Sequence, residues 1–365
     1  MITEDTKMAL QASGEEVDAL RLVRNQLSEP EFIGLQHSIF SNFITNQRVL
    51  DSVVTNNTHA YELTMLLKMR EEQWYSEGIK YFCDSFRYAM QNNQEETLKV
   101  VEDNYGSIHE ALSSHSDAFF LQKSASFSKP KLKVRAYFRM LGDMLESVHF
   151  PHIQMIYKVL ILCDNSTLFK RPSRVSNGKA VSELSSLDEF NEAFVGFTDG
   201  ISLNQLRNIS QHSSYKYNEE RQLIECTYGN NQCVELTVEQ LEVILVKVDV
   251  IQVFLKTCLS FSLINHEEVS SILLRQSLTL ETLMSQLGNL FALHNYQVFD
   301  VDETKVKWHI KIKDIHDNGV KKFKLDCQNY FFPLVYLLSK KGVKVVIEMF
   351  NSKGKTKQKA ELSIR

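Results

Sequence analysis

One short stretch of this chain gathers groups able to move protons beside a phosphate: Leu203, Asn204, Gln205, Leu206, Arg207, Asn208, Ile209, Ser210, Gln211, His212, Ser213, Ser214 and Tyr215 in succession. On a helix turning about 100° per residue with Arg207 at zero, Leu206, Ile209 and Leu203 fall near roughly 260°, 200° and 320°, while Asn208 and His212 fall near roughly 100° and 140°. The apolar arc and the polar arc are opposite. A helix seated by Leu203, Leu206 and Ile209 therefore presents a guanidinium, a carboxamide and an imidazole on its other side.

Those three groups suit the cleavage of RNA without a metal. An imidazole with an ordinary pKa of about 6.5 can carry a proton to or from the 2'-hydroxyl or the leaving 5'-oxygen. A guanidinium stays cationic and can hold phosphate oxygens as negative charge builds in the transition state. A carboxamide can orient the phosphate or the imidazole. The expected catalytic residues are Arg207, Asn208 and His212.

Competing chemistries have no signature here. The sequence holds no Gly-rich phosphate loop, no HExxH, no GxSxG and no EF-hand loop. Cys83, Cys163, Cys226, Cys233, Cys258 and Cys327 form no CxxC pair, so neither a zinc site nor a disulfide framework is expected, and the thiols read as reduced packing residues. His149 and His152 flank Pro151, and two imidazoles three residues apart are too few for a metal site, so capping or packing is the simpler role. No metal and no cofactor is expected.

The pattern Arg207-Asn208-x3-His212 resembles the signature of the HEPN superfamily, an arginine followed a few residues later by a histidine, commonly with Asn or another polar residue directly after the arginine. The segment Tyr137-Phe138-Arg139-Met140-Leu141-Gly142-x3-Glu146 looks like the first helix of such domains. The resemblance implies a helical bundle that dimerises so that two motifs face each other. It also implies a metal-independent endoribonuclease of toxin–antitoxin, abortive-infection or other anti-phage systems, with an antitoxin or defence-system partner. On the same resemblance Glu146 would orient Arg207, and Tyr215 would support the site. Some relatives carry His, one residue and Tyr after the motif, the Tyr being modified by the antitoxin; here Ser214 stands in that place and Tyr215 comes one later. That departure leaves adenylylation outside the expectation.

The elements that must position this segment are helices. Only 13 Gly and 5 Pro occur in 365 residues, well under half the usual share of these breakers. Hydrophobic residues at 43% and charged residues at 24% are globular proportions, which exclude collagen-like and wholly disordered chains. The expected fold class is mainly α, in three parts: a helical N-terminal region over 1–128, an HEPN-like helical bundle over 129–294, and a small basic α+β module over 295–365. The first boundary rests on a Ser/Lys-rich stretch before Pro130, and the second on a change from helical to alternating period after Asn295. In the last part Val306, Trp308, Ile310 and Ile312 alternate toward Asp317-Asn318-Gly319, which reads as a hairpin turn into Val320, Phe323 and Leu325. A helix at 330–340 and two further strands around 351–354 complete the module. Helices are expected over 187–197, 202–215 and 237–264.

Charge is uneven. Net charge is -4, yet residues 295–365 hold 15 Lys and Arg against 8 Asp and Glu. That surplus suits contact with a polyanion, or the protection of edge strands by lysines. Candidate RNA-binding cations near the proposed site are Lys131, Lys133, Arg135, Lys170, Arg171 and Arg174, with solvated faces as the plainer reading. The apolar stretch 243–264 carries Lys247, Asp249 and Lys256, so it reads as a buried helix and no membrane association is expected. The polar, acidic start lacks the features of a secretory signal, and the cytoplasm is the expected location. The expected partners are RNA and a second copy of the chain. The alternatives are a catalytically silent HEPN-like module that binds RNA or a partner, and a helical scaffold without a nucleic-acid role.

Overall fold

Local capping signals start several of the helices, among them those that begin after Ser28, Asn46, Ser176, Ser202 and Thr237. A computed structural model describes residues 18–124, 129–163, 176–195, 197, 201–229, 232–269, 272, 280–304, 307–340, 344–353 and 356–362. In chain order it begins with α1 (Asp18–Gln26), α2 (Glu29–Phe40), α3 (Gln47–Asn56) and α4 (Ala60–Lys68). Ser28 and Glu31 form a capping box around Pro30, and Asn46 caps α3 by accepting from the Val49 amide. Next come α5 (Gln73–Asn92), α6 (Gln94–Ser124) and α7 (Pro130–Asp143), a π-helical turn (Met144–His149), and α8 (Phe150–Cys163). α9 (Asn177–Leu184), α10 (Asp188–Phe194) and α11 (Leu203–Gln211) lead to three strands, β1 (Tyr215–Asn218), β2 (Leu223–Tyr228) and β3 (Gln232–Leu236). The long α12 (Val238–Ile264) and then α13 (Leu280–Leu293) follow. The chain closes with β4 (Tyr296–Thr304), β5 (Lys307–Asp314), α14 (Gly319–Asp326), a second π-helical turn (Cys327–Phe331), α15 (Phe332–Lys340), β6 (Lys344–Phe350) and β7 (Thr356–Leu362).

These elements divide into two compact units, and the division differs from the expected three parts. Met1–Lys68 joins Ser277–Arg365 in an outer unit, and Met69–Gln276 forms a central unit. The expected boundary at 128 falls inside the central unit, and the one at 294 cuts the core of the outer unit. Periodicity reports which face of a helix is apolar, not which distant element covers it. α13 covers the C-terminal sheet: Leu283, Leu287, Leu290 and Phe291 share one core with Tyr296, Trp308, Ile310, Ile312, Phe331 and Ile347. The N-terminal helices join the same unit through polar contacts. Arg24 Nη1 donates to the Leu293 carbonyl at 3.1 Å, the Asn25 and Asn295 carboxamides exchange hydrogen bonds, and the Tyr330 hydroxyl donates to Glu29 at 3.1 Å.

In the outer unit the sheet order is β4-β5-β6-β7, antiparallel except for the central β5–β6 pair. Parallel neighbours require a crossover, and α14 and α15 supply it. β5 alternates as expected, with Trp308, Ile310 and Ile312 buried. Its antiparallel partner is β4, not the segment after Asp317-Asn318-Gly319. Those three residues lead into α14: Asp314 accepts from the Gly319 amide and the Asn318 carboxamide, and Gly319 has a φ of 88°. Asp, Asn and Gly serve helix starts as readily as hairpin turns, and here the helix wins because Phe323 and Phe331 reach the core. Trp308 and Tyr330 are packing residues: Trp308 is buried and Tyr330 lies against the buried His294 ring.

The central unit is built around α12, which Thr237 and Gln240 cap with a capping box and which buries residues on nearly every side. Its apolar stretch is the buried helix expected, and among the described residues no helix is long and apolar enough to cross a membrane. His149 and His152 are fully buried, engaging the backbone carbonyls of Val248 and Val148. Burial pushes their pKa values down to about 3 and about 4. The antiparallel sheet β1-β2-β3 stands where the sequence reading had no strands. None of the six cysteines is in a disulfide, and Cys83, Cys226, Cys258 and Cys327 are buried.

Candidate active site

The helix expected to carry the chemistry forms as its sequence dictates. Ser202 caps α11, its hydroxyl accepting from the Gln205 amide while the Gln205 side chain accepts from the Ser202 amide. Leu203, Leu206 and Ile209 are buried, with Arg207 and Asn208 half-buried on the other side. The Leu203–Gln211 helix is shorter than the expected 202–215 because Ser213 turns into the left-handed region, with a φ of 51°, and Tyr215 starts β1.

From α11 onward the chain runs antiparallel beside α7 and its π-helical extension, meeting it roughly once per helical turn. Arg207 reaches Glu146, where Nε donates to Oε2 at 2.7 Å. The Gln211 carboxamide donates to the Gly142 carbonyl at 3.1 Å. The Tyr215 ring stacks on Phe138 with centroids 4.0 Å apart and 13° between the planes. Lys131 lies 4.0 Å from Glu219. The approach at Gly142 is close: a Cβ there would stand 3.2 Å from the Gln211 side-chain nitrogen and 3.3 Å from Ser210 Cβ, so its neighbours would have to give by a few tenths of an ångström. That close approach lets Arg207 span to the π-helical turn, whose wider coil carries Glu146.

The guanidinium is oriented from two sides. Glu146 holds Nε, and Asn208 Oδ1 accepts from Nη1 at 3.2 Å. Arginine has five N–H donors in a fixed fork, so this arrangement leaves the Nη2 amino group and one Nη1 hydrogen for another acceptor. The Arg207–Glu146 pair is about one third exposed on both sides, where ion pairs contribute roughly 0–1 kcal/mol to stability. It fixes direction more than it stabilises the fold.

His212 closes α11, with φ -90° and ψ 2°, and its amide donates to the Asn208 carbonyl at 3.0 Å. The imidazole is exposed, and among the described residues no hydrogen bond or ion pair engages it. Glu146, Arg207 and Asn208 are thus brought together by side-chain contact. His212 follows on the next turn without touching them through its ring.

The remaining candidates separate. Tyr215 is held by stacking on Phe138, and burial raises its hydroxyl pKa against the lowering effect of Arg135. It anchors β1 to α7. Lys133 is bound to Glu242 at 2.6 Å and lies over the Tyr137 ring, and the hydrogen bond it donates to Glu242 raises its pKa. Lys131 and Arg135 are exposed. Lys170, Arg171 and Arg174 lie outside the described residues. Gly142 and Arg139 enter the sequence reading only within the segment that ends at Glu146, and Gln211 only within the stretch around Arg207 and His212, with no role for any of the three. Among the described residues no group of three or more His, Cys, Asp or Glu side chains is arranged to hold a metal. No family model, curated protein or solved structure matches the chain.

Proposed function

We propose that this chain is a metal-independent endoribonuclease of the HEPN type, working in the cytoplasm in anti-phage defence or in a toxin–antitoxin or abortive-infection system. The observation that carries the reading is the Arg207 guanidinium, held by Glu146 and Asn208 with its free edge turned away from them and an exposed imidazole one turn on. In the proposed reaction the 2'-oxygen attacks the adjacent phosphorus and the bond to the 5'-oxygen breaks. A base takes the 2'-hydroxyl proton and an acid gives one to the leaving 5'-oxygen. Arg207 holds the phosphate oxygens as charge builds, and the strand ends produced are a 2',3'-cyclic phosphate and a 5'-hydroxyl.

One chain offers one imidazole for two proton transfers, so the complete site takes His212 from each of two copies related by a two-fold axis. On α12 the exposed Val243 and Val246 stand beside the Glu242 that holds Lys133, an apolar patch suited to such an interface. A restraining antitoxin or defence partner would act by covering the same surface. Mixing wild type with an excess of the Arg207→Ala/His212→Ala double variant tests the composite site. Activity should fall in proportion to mixed dimers formed, and full activity in a strictly monomeric fraction would contradict it.

A further inference from the structure

α7 carries a second feature that the ion pairs around it leave open. Lys131, Arg135 and Arg139 recur every four residues along it, all exposed. Such a row advances about 6 Å per step and drifts about 40° around the axis. Counted from Gly142, where the end of α11 rests, Arg135 and Arg139 lie about 20° and 60° round the axis, on the flank away from Phe138. Arg139 falls between Phe138 and Gly142, and His212 falls between Tyr215 and Gln211, so both belong to the same interval of the antiparallel contact.

The cations of α7 differ in availability. Lys133 is committed to Glu242. Lys131 meets Glu219 only at 4.0 Å with both side chains mostly in solvent, which water and salt largely screen. Among the described residues no carboxylate pairs with Arg135 or Arg139, although the exposed Asp143 lies one turn beyond Arg139.

Resting on the nuclease reading above, we infer that Arg139, Arg135 and Lys131 form a phosphate track that leads an unpaired RNA strand into the Arg207–His212 site. A step of about 6 Å suits neighbouring phosphates of one extended strand, and guanidiniums bind phosphate through two parallel N–H donors. A single row of cations serves one backbone, whereas a duplex presents two across a groove. The chemistry agrees. Attack by the 2'-oxygen needs it in line with the departing 5'-oxygen, and an unpaired strand can rotate to that geometry while an A-form duplex holds it off line.

The test uses the full chain carrying His212→Ala, so that bound RNA stays intact, and measures affinity for one labelled oligonucleotide, unpaired or annealed to its complement, across a salt series. Adding Arg135→Gln and Arg139→Gln should weaken binding of the unpaired strand on the order of tenfold and make the salt slope shallower by about 1.4, two phosphate contacts at about 0.7 each. Adding Lys133→Gln instead should leave the slope unchanged. Unchanged affinity and slope in the double arginine variant overturn the track, as does tighter binding of the duplex. Both arginines are exposed, and a matched melting temperature shows that the variant is folded. Failure here is separable from failure of the nuclease reading. If the His212-bearing protein cuts RNA but the arginine variants bind and cut normally, the track alone falls. If it cuts nothing while the variants still lose unpaired RNA, the track stands and the catalytic reading falls.

Discussion

Ser210 Cβ stands 3.3 Å from the point where a side chain on Gly142 would begin, so α7 and α11 cross at a contact that admits no added carbon without movement. Alanine would gain about 1 kcal/mol of helix propensity and lose a comparable amount to crowding, leaving stability nearly unchanged. Gly142→Val is expected to cost about 1–3 kcal/mol through overpacking. The displaced α11 would also pull Arg207 from Glu146. A denaturant melt and a cleavage assay on the same sample check this, with activity expected to fall further than the fraction folded.

Glu146 is the positioning partner of Arg207, and its removal should separate orientation from stability. Glu146→Gln is expected to change unfolding free energy by no more than about 1 kcal/mol, because the pair is part-exposed. Cleavage should fall on the order of ten- to a hundredfold in kcat with KM little changed, since the phosphate still meets a cation but a misdirected one. A loss confined to KM would assign Glu146 to substrate binding instead.

Acid should unfold both units. Burial holds His149 at about 3 and His152 at about 4 in the central unit. In the outer unit it holds His294 at about 4, outweighing the neighbouring Asp326 carboxylate. The same imidazoles titrate near about 6.5 when unfolded, so between about 6.5 and 4 the unfolded chain binds protons that the folded chain refuses. Stability is therefore present above about pH 6.5 and is lost as pH falls toward the folded values. Each group adds up to about 1.4 kcal/mol per pH unit over that window. Melting temperatures across this range read the effect, and a flat profile would contradict buried neutral imidazoles.

The division into units predicts where the chain can be cut. Truncation after Leu293 strips Leu283, Leu287, Leu290 and Phe291 of their partners in the sheet, so residues 1–293 are expected to aggregate. Residues 69–276 carry the central unit, and should melt cooperatively with helical circular dichroism. A well-behaved 1–293 and an unfolded 69–276 would reverse that assignment.

The parts of this fold legible in the sequence are those decided within a few residues. The Ser202–Gln205 box and the Leu203, Leu206, Ile209 stripe specify α11 by themselves, and Trp308, Ile310 and Ile312 specify β5. The β1-β2-β3 sheet is not legible in the sequence although Ile224 and Cys226, then Val234 and Leu236, are buried alternately, because strands this short show too few periods. Asp317-Asn318-Gly319 fits two local structures, and only the core around Phe323 and Phe331 decides between them. The pairing of Arg207 with Glu146 spans 61 residues, so no local pattern announces it, and the sequence offers it only through the family resemblance.

Incubation of the purified full chain with RNA in EDTA, beside Arg207→Ala and His212→Ala, tests the nuclease reading most directly. Cleavage is predicted to persist in the chelator, to leave 2',3'-cyclic phosphate ends, and to fall at least about a hundredfold in either variant. Intact RNA with the wild-type chain, cleavage abolished by EDTA, or variants as active as wild type would contradict it.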